Sequence, residues 1–348
     1  MTTESLPGLD LDRLGPWLAK NVTGAGEELS ATHISGGKSN LTYAVSDGTH
    51  EWIVRRPPLG HVLATAHDMK REHTVITALR DTDVPVPLTY AFCDDEEVLG
   101  APFYVMEKVD GRPYRYAREL EPLGAERTRA ISEQLIDVMA SLHAVDPAAV
   151  GLSEFGRPEG FLSRQVRRWK KQVEASYSRD LPAADELHAL LEERVGAAEA
   201  ASTGPGIVHG DYRLDNVLTS ADDQIKAVVD WEMATLGDPV TDLAILLTYQ
   251  RMATVSGDGT VTDVSNAPGW LSEDEIIARY DAASPRDLTE FGFYLGLAAY
   301  KLAAILEGIH YRYLKGQTVG PGFDKIGDGI HPLLDMGLSA MKETGRVS

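Results

Sequence analysis

The sequence is poor in cysteine and in long apolar stretches. Its 348 residues contain one cysteine, Cys93, which excludes an internal disulfide framework and is typical of a reducing compartment. No run reaches the ~18 apolar residues of a membrane span, and the best candidate, 295–308, is interrupted by Lys301 and Glu307. The start, MTTESLPGLDLDRLG, lacks the pattern of a signal peptide. We therefore expect a cytoplasmic protein in which 295–308 is a buried helix.

Positive charge is also scarce. The chain has 33 lysines and arginines against 53 aspartates and glutamates, for a formal net charge of -20. Because nucleic acids and anionic membranes attract positive surfaces, neither is an expected partner. The apolar content of 43% and charged content of 25% are ordinary for a globular protein, and the length favours two lobes or domains. The composition leaves the oligomeric state open.

The first third of the chain has the pattern of β-strands. Short β-forming runs, separated by turn residues, occur at 32–34, 41–45 and 51–55. They predict a meander of antiparallel strands. A helix is predicted from about 66 to 79, and a further strand pair is predicted to end at 103–106.

The rest of the chain is predominantly helical in pattern. Apolar residues recur at helical spacing in 131–142 and 182–204, and Ser272 with Glu275 forms a capping box that opens a further helix. The last long helix is predicted from about 287 to 314. Three short strands are predicted to interrupt this half, around Val208, 216–218 and 225–229.

The change of pattern predicts a bilobal α+β fold. We assign residues 1–106 to a β-rich N-terminal lobe, 107–110 to a hinge and 111–348 to a mostly helical C-terminal lobe. A cleft between two lobes is a common place for a ligand.

The stretch VHGDYRLDNVL, residues 208–218, crowds charges into a turn with apolar neighbours on both sides. Polar groups in such a place need partners or a function. Asp211 and Asn216 could meet Asp230, at the end of a later strand, if the two segments form neighbouring hairpin arms. Carboxylate and amide oxygens suit a divalent cation, and Asp211 would remain free to take a proton. This combination indicates phosphoryl transfer.

These residues carry a resemblance to a known family. HGD with Asn216 five positions later, VVDWE and GDPVTDLA resemble the catalytic segments of aminoglycoside and choline kinases, which have the protein-kinase-like fold. Upstream, ISGGKSNLTYAV, WIVRRPP, REHTVITAL and FYVMEKVDG follow in the expected order. The chain is most similar to the phosphotransferase domains associated with acyl-CoA dehydrogenases. The resemblance implies a small-molecule kinase that uses ATP, or GTP, together with Mg²⁺.

The resemblance also implies roles in the C-terminal lobe. Asp211 would accept the proton of the acceptor hydroxyl, and Asn216 and Asp230 would hold Mg²⁺. Arg213 would touch the transferred phosphoryl group or form a salt bridge with a surface carboxylate, and the sequence favours neither. His209 is expected to support the loop.

In the N-terminal lobe, the resemblance implies that a cation on the third strand pairs the phosphates. Strand alternation allows only one of Arg55 and Arg56 to face the cleft, and we choose Arg55, with Glu72 as its partner. The other implied nucleotide contacts are the phosphate loop and the hinge: Gly36, Gly37, Ser39, Asn40, Met106, Glu107 and Val109.

A basic segment stands out in this acidic chain. FLSRQVRRWKKQV, residues 161–173, has five basic residues and no acid, and four of them share one helical stripe. This stripe is Arg164, Arg167, Arg168 and Lys171. It is either a solvated face paired with acids elsewhere or a binding site for an anionic acceptor, such as one that carries coenzyme A phosphates.

The same residues are compatible with other functions. His209 and Asp211 with a distant histidine, His310 or His331, could form an iron site. A kinase fold that binds nucleotide without turnover, or an aminoglycoside-type kinase with a cationic acceptor, would share the same motifs. A protein kinase is disfavoured, because little chain separates Asp230 from GDPVTDLA to form a peptide-docking loop.

Overall fold

The computed structural model describes residues 6–34, 40–59, 68–255, 262–318 and 323–342. Within them, a sheet-containing N-terminal part is followed by a mostly helical C-terminal part. The predicted bilobal α+β fold is therefore confirmed. The proposed hinge, 107–110, begins at the last residue of the final strand of the first sheet.

The N-terminal lobe is built on an antiparallel sheet of five strands in the order β1-β2-β3-β5-β4. Its strands are β1 (Ser30–His33), β2 (Leu41–Ser46), β3 (Glu51–Arg56), β4 (Thr89–Cys93) and β5 (Phe103–Glu107). Its helices are α1 (Leu11–Asn21), α2 (Met69–Leu79) and α3 (Glu96–Leu99). Helix α2 begins later than the predicted position 66, with Asp68 as its N-cap.

The two faces of this sheet belong to different cores. Residues such as Val54 and Val105 pack with α1, whereas Ile53 and Met106 join the core that continues into the C-terminal lobe. Alternation along β3 consequently places Arg55 and Arg56 on opposite faces. Arg56 donates to the carbonyl oxygen of Leu99 at 2.7 Å and to that of Gly8, on the α1 side.

The C-terminal lobe contains eight helices among the described residues. They are α4 (Ala117–Leu120), α5 (Ala125–Ala144), α6 (Phe161–Ala175), α7 (Pro182–Ala201), α8 (Val240–Val255), α9 (Glu273–Ala283), α10 (Phe291–Leu314) and α11 (Ile330–Ala340). Short 3-10 helices occur at Glu121–Leu123, Leu214–Asn216, Trp231–Met233, Val264–Asn266 and Ile326–Gly329. Helix α10 starts after the predicted position 287.

In the part of the C-terminal lobe that the structure describes, four short strands pair as β6 with β9 and β7 with β8. They are β6 (Gly206–Val208), β7 (Val217–Thr219), β8 (Ile225–Val228) and β9 (Thr235–Gly237). The sequence analysis missed β9. The β7–β8 hairpin brings the segments of Asn216 and Asp230 together as neighbouring arms.

Helix α10 lies in the middle of the C-terminal lobe, against α6, α7, α8 and α11. Its length and composition would suit a membrane span, but 78% of its most apolar window is buried inside the fold. It therefore packs as the core helix that the interruptions by Lys301 and Glu307 predicted.

The predicted capping box at the start of α9 is present, which gives a test of the fold. The Ser272 hydroxyl accepts from the Glu275 N–H at 3.3 Å, and the Glu275 carboxylate accepts from the Ser272 N–H at 2.8 Å. We expect Ser272→Ala to lower the free energy of unfolding by about 1 kcal/mol in urea denaturation, because it removes this cap. Ser272→Asp should retain most of the stability. Equal losses in both variants would contradict the capping role.

Candidate active site

A buried aspartate of α8 holds the turn that follows β6. The Asp242 carboxylate accepts from the backbone N–H of His209 at 2.7 Å and from that of Gly210 at 2.8 Å. Gly210 has φ +87, and a Cβ there would lie 2.8 Å from Met233. Only glycine fits this position without strain. The turn before Asp211 is consequently fixed in one conformation.

Asp242 is itself supported by a buried histidine. Its Oδ2 atom lies 3.3 Å from His143 Nε2, and His143 Nδ1 lies 2.7 Å from the Tyr280 hydroxyl. Burial would raise the pKa of Asp242, but the hydrogen bonds from His143 and the His209 backbone lower it overall. The carboxylate therefore stays ionised. The sequence analysis used GDPVTDLA only for the resemblance and missed this role.

His209 supports the turn from the inside. Its ring is buried beside Trp231, at 4.7 Å between ring centroids. Its Nδ1 atom accepts from the Asp211 N–H at 3.3 Å, so Nε2 donates to the Val229 carbonyl at 3.0 Å. Both nitrogens are used within the fold. No cluster of three metal-binding His, Cys, Asp or Glu side chains occurs in the described ranges, so the iron alternative gains no support.

Asp211 lies at the tip of this turn. Its Oδ2 atom is 3.2 Å from Arg213 Nε and 3.1 Å from Asn216 Nδ2. The Asn216 amide nitrogen also donates to the Asp211 carbonyl at 2.8 Å. Because its nitrogen is committed to Asp211, the amide oxygen of Asn216 is directed away from that residue.

Arg213 lies between two carboxylates. Besides Asp211, it pairs with Asp215 at 2.8 Å from Nη1 to Oδ2, and its guanidinium stacks on Tyr249 at 4.8 Å from the ring centroid. The salt bridge that the sequence offered as one alternative is present, with carboxylates of the turn itself as partners. The other alternative, contact with the transferred phosphoryl group, stays a prediction.

Asp230 follows β8 in a left-handed conformation, with φ 65 and ψ 55. This conformation is uncommon for a residue other than glycine and frequent at functional sites. The N–H of Val229 donates to the Asn216 carbonyl at 2.9 Å, so the two predicted metal ligands stand on adjacent chains. One carboxylate and one amide oxygen are a donor set that fits a divalent cation.

A polar network joins the two lobes across the cleft. Arg55 pairs with Glu72 at 2.9 Å and with Asp230. The Asn40 amide nitrogen donates to Glu72 at 3.0 Å and to Glu232 at 3.1 Å. Glu232, which stands two positions after Asp230 in VVDWE, was missed by the sequence analysis.

The structure describes only some of the remaining residues that were predicted to contact the nucleotide. Gly36, Gly37 and Ser39 lie outside the described residues. Met106 is buried in β5, Glu107 pairs with Trp52 at the end of that strand, and Val109 follows it. Met106 borders the proposed hinge, and Glu107 and Val109 lie within it.

A second cleft opens beside the turn, with a volume of about 720 Å³. Helices α6, α8 and α10 contribute to its walls, and five cationic side chains line it. These are Arg71, Arg157, Arg164, Arg168 and Lys301. We call this cavity the basic cleft. Among the described lining residues, the carboxylates are Asp242, which is bound to the turn, and Glu232, which accepts from Asn40.

The structure divides the predicted basic stripe of α6. Arg164 and Arg168 line the basic cleft, and Arg167 and Lys171 are not among its lining residues. Of the four, Arg164 is half-buried and the other three are exposed. Arg71, Arg157 and Lys301 come from other segments and were not predicted. In the sequence, Lys301 was recognisable only as a single lysine within an apolar helix.

Two of these cations each donate to two backbone carbonyls. Arg71, from α2 of the N-terminal lobe, donates to Phe155 at 2.7 Å and to Ala234 at 3.2 Å. Arg164 donates to the carbonyl oxygens of Arg157 and Glu159. Arg168, by contrast, contacts the ring of the adjacent Trp169, at 5.1 Å from the centroid.

Comparison with known sequences identifies relatives over nearly the whole chain. The sequence model of the phosphotransferase enzyme family matches residues 30–275. The acyl-CoA dehydrogenase family member 11 of Rattus norvegicus is 32% identical over 353 residues, which cover 99% of this chain and 45% of the relative. The chain thus spans less than half of that protein.

Solved structures show the same fold. A candidate aminoglycoside phosphotransferase from Ralstonia eutropha has a TM-score of 0.84 and 32% identity, over 97% of this chain and 99% of its own. A choline kinase from Cryptosporidium parvum has a TM-score of 0.61 at 15% identity, over 96% of both chains. The second likeness concerns the fold alone.

The buried Glu72 gives a prediction for pH dependence. Burial raises its pKa to about 7, although the Arg55 guanidinium acts in the opposite direction, whereas an ordinary glutamate titrates near 4.5. Between these values the folded protein holds a proton that the unfolded chain has released, so the contribution of Glu72 to stability decreases as pH rises. We expect the unfolding free energy of wild type, relative to that of Glu72→Gln, to fall between pH 4.5 and 7. Urea denaturation at several pH values measures this difference, and a constant difference would contradict the expectation.

Proposed function

Because the chain belongs to the phosphotransferase enzyme family, we propose that it transfers the γ-phosphoryl group of ATP to a hydroxyl group of a small anionic molecule. The observation that carries the anionic acceptor is the basic cleft beside Asp211, which has five cationic side chains in a protein of net charge -20.

Asp211 is the proposed general base. Its carboxylate is oriented by Arg213 and Asn216, and its backbone is fixed by the turn that Asp242 holds. In the reaction the acceptor oxygen forms a bond to the γ-phosphorus, the bond from that phosphorus to the ADP oxygen breaks, and the hydroxyl proton passes to Asp211. Arg213 supports this chemistry by keeping Asp211 in place.

Asn216 and Asp230 are the proposed ligands of Mg²⁺. They offer one amide oxygen and one carboxylate on adjacent chains, and Mg²⁺ is typically held by few protein ligands together with phosphate oxygens. The bound ion would supply positive charge to the phosphate groups. Arg55, which bridges Glu72 and Asp230, is the proposed cation for the other phosphates.

The rest of the proposed nucleotide site remains as the family resemblance implies. Asn40 reaches the site through its contacts with Glu72 and Glu232. The adenine would lie against Met106 and the backbone of Glu107 and Val109, and Gly36, Gly37 and Ser39 would cover the phosphates. The proposed domain division, 1–106, 107–110 and 111–348, places the nucleotide at the junction, and a cytoplasmic location would supply ATP.

The positive charge of the basic cleft favours anionic over cationic acceptors. A cationic aminoglycoside would meet five like charges there, since the two lining carboxylates are engaged with the protein. An acceptor with carboxylate or phosphate groups meets favourable partners. Coenzyme A thioesters of hydroxy acids are one such class, and the names of the relatives that are acyl-CoA dehydrogenases favour their inclusion in a screen. A pseudokinase is disfavoured, because Asp211, Asn216 and Asp230 are all present.

The function is tested by a screen for ADP release with hydroxyl-bearing acceptors of different charge, with Asp211→Asn as the diagnostic variant. We expect this variant to lose at least about a hundredfold in kcat, because the amide cannot take the proton. Its affinity for MgATP should change less than about threefold, since the carboxylate acts on the hydroxyl and not on the nucleotide.

Asp230→Ala is the contrasting variant, and it should weaken MgATP binding in calorimetry because a metal ligand is lost. Asp211→Asn turnover within about tenfold of wild type would refute the assignment of the base. A wild-type protein that releases no ADP with any acceptor would refute the proposed phosphotransfer itself.

The acceptor charge is tested by reversing one residue of the basic cleft. Arg168→Glu should raise KM for the acceptor about tenfold at low salt, flatten its salt dependence and leave KM for ATP within about twofold. Arg167→Glu is the matched control, because Arg167 neighbours Arg168 on α6 but does not line the cleft. Equal effects of both variants, or a cationic acceptor, would contradict the proposal.

A further inference from the structure

Helix α10 carries two charged residues in its apolar part, 291–308, and they are compensated differently. Glu307 is fully buried and accepts from the Ser178 hydroxyl at 2.6 Å, from the Ser178 N–H at 3.0 Å and from Arg179 at 3.2 Å. Its charge is therefore matched by donors from the segment between α6 and α7. Lys301 has no comparable arrangement.

Lys301 reaches into the basic cleft beside the turn. Its Nζ atom donates to the Gly210 carbonyl at 2.6 Å and lies 5.8 Å from the centroid of the Trp169 ring. Within the described ranges, no carboxylate lies within 4.0 Å of this nitrogen. Burial lowers the pKa of Lys301, while the more distant Asp211 and Asp242 act in the opposite direction.

The half-buried ammonium of Lys301 has one hydrogen-bond partner among the described residues, a backbone carbonyl. An ammonium has three N–H donors, and Gly210 takes one of them. Arg71 and Arg164, in the same cleft, are each spread over two carbonyls. Because this ammonium faces the cleft without a carboxylate partner, an anion that enters the cleft can form charge-assisted hydrogen bonds with Lys301.

We propose that Lys301 is an acceptor-binding residue whose ammonium, positioned by the Gly210 carbonyl and the Trp169 ring, binds an anionic group of the acceptor in the basic cleft. This inference rests on the phosphotransfer proposed above and names the residue that selects the charge of the acceptor. Because Lys301 contacts Gly210, the neighbour of Asp211, the bound anionic group lies close to the hydroxyl that reacts. Carboxylate and phosphate groups share the required chemistry.

The test uses sulfate as the probe, with the nucleotide site filled by MgAMP-PNP and the ionic strength held constant. Calorimetry should show that Lys301→Met binds sulfate at least about tenfold more weakly than wild type, because the variant keeps the length of the side chain and loses the charge. Lys171→Met, on an exposed lysine of α6 outside the cleft, should bind sulfate as wild type does.

A second variant separates this role from a merely structural one. Lys301→Gln keeps a donor for the Gly210 carbonyl without the charge, so it should unfold at the wild-type temperature and still lose sulfate affinity. If Lys301 only braced the turn, Lys301→Met would lower turnover with anionic and neutral acceptors alike and leave sulfate affinity unchanged.

The inference is overturned if wild-type protein does not bind sulfate, or if both Lys301 variants bind it as tightly as wild type. These outcomes leave the proposed function standing, since that function fails by a different result, the absence of ADP release from wild-type protein in the acceptor screen.

Discussion

The geometry of the site depends on one buried carboxylate. Asp242 accepts from the N–H groups of His209 and Gly210, and these bonds hold the turn that presents Asp211. A charged acceptor is used where two N–H groups converge without solvent, and charge-assisted bonds of this kind are shorter and stronger than neutral ones. The His143 and Tyr280 side chains behind Asp242 extend the support into α5 and α9. The helical lobe thus acts as a rigid base for a turn that has little regular structure of its own.

Acidic and basic residues are distributed unevenly over the protein. Acidic residues dominate the protein as a whole, while the basic cleft concentrates arginine and lysine beside the turn. Arg71 and Arg164 are fixed by carbonyl oxygens, so their side chains are ordered without a ligand. Such preorganisation lowers the entropic cost of ligand binding.

The sequence predicted those features that depend on local pattern. Alternation along β3 was enough to separate Arg55 from Arg56, and the capping box at Ser272 followed from residue spacing alone. Strand β9 was missed because three residues carry too short a pattern, and its pairing with β6 is set by tertiary packing. The basic cleft was predicted only from α6. Its other cations come from segments far apart in the chain, and a lone charge such as Lys301 gives no sign of which surface it will face.

Helix α2 carries adjacent residues that serve the two clefts. Glu72 pairs with Arg55 on the side of the proposed nucleotide site, while Arg71 reaches across to the Phe155 and Ala234 carbonyls at the basic cleft. A displacement of this one helix changes both clefts together, because consecutive helical residues cannot move independently. If the proposed nucleotide and acceptor bind in these two clefts, such a displacement would link them thermodynamically. Each ligand would then change the affinity for the other by the same factor. The order in which the two ligands arrive would leave the final free energy of the ternary complex unchanged.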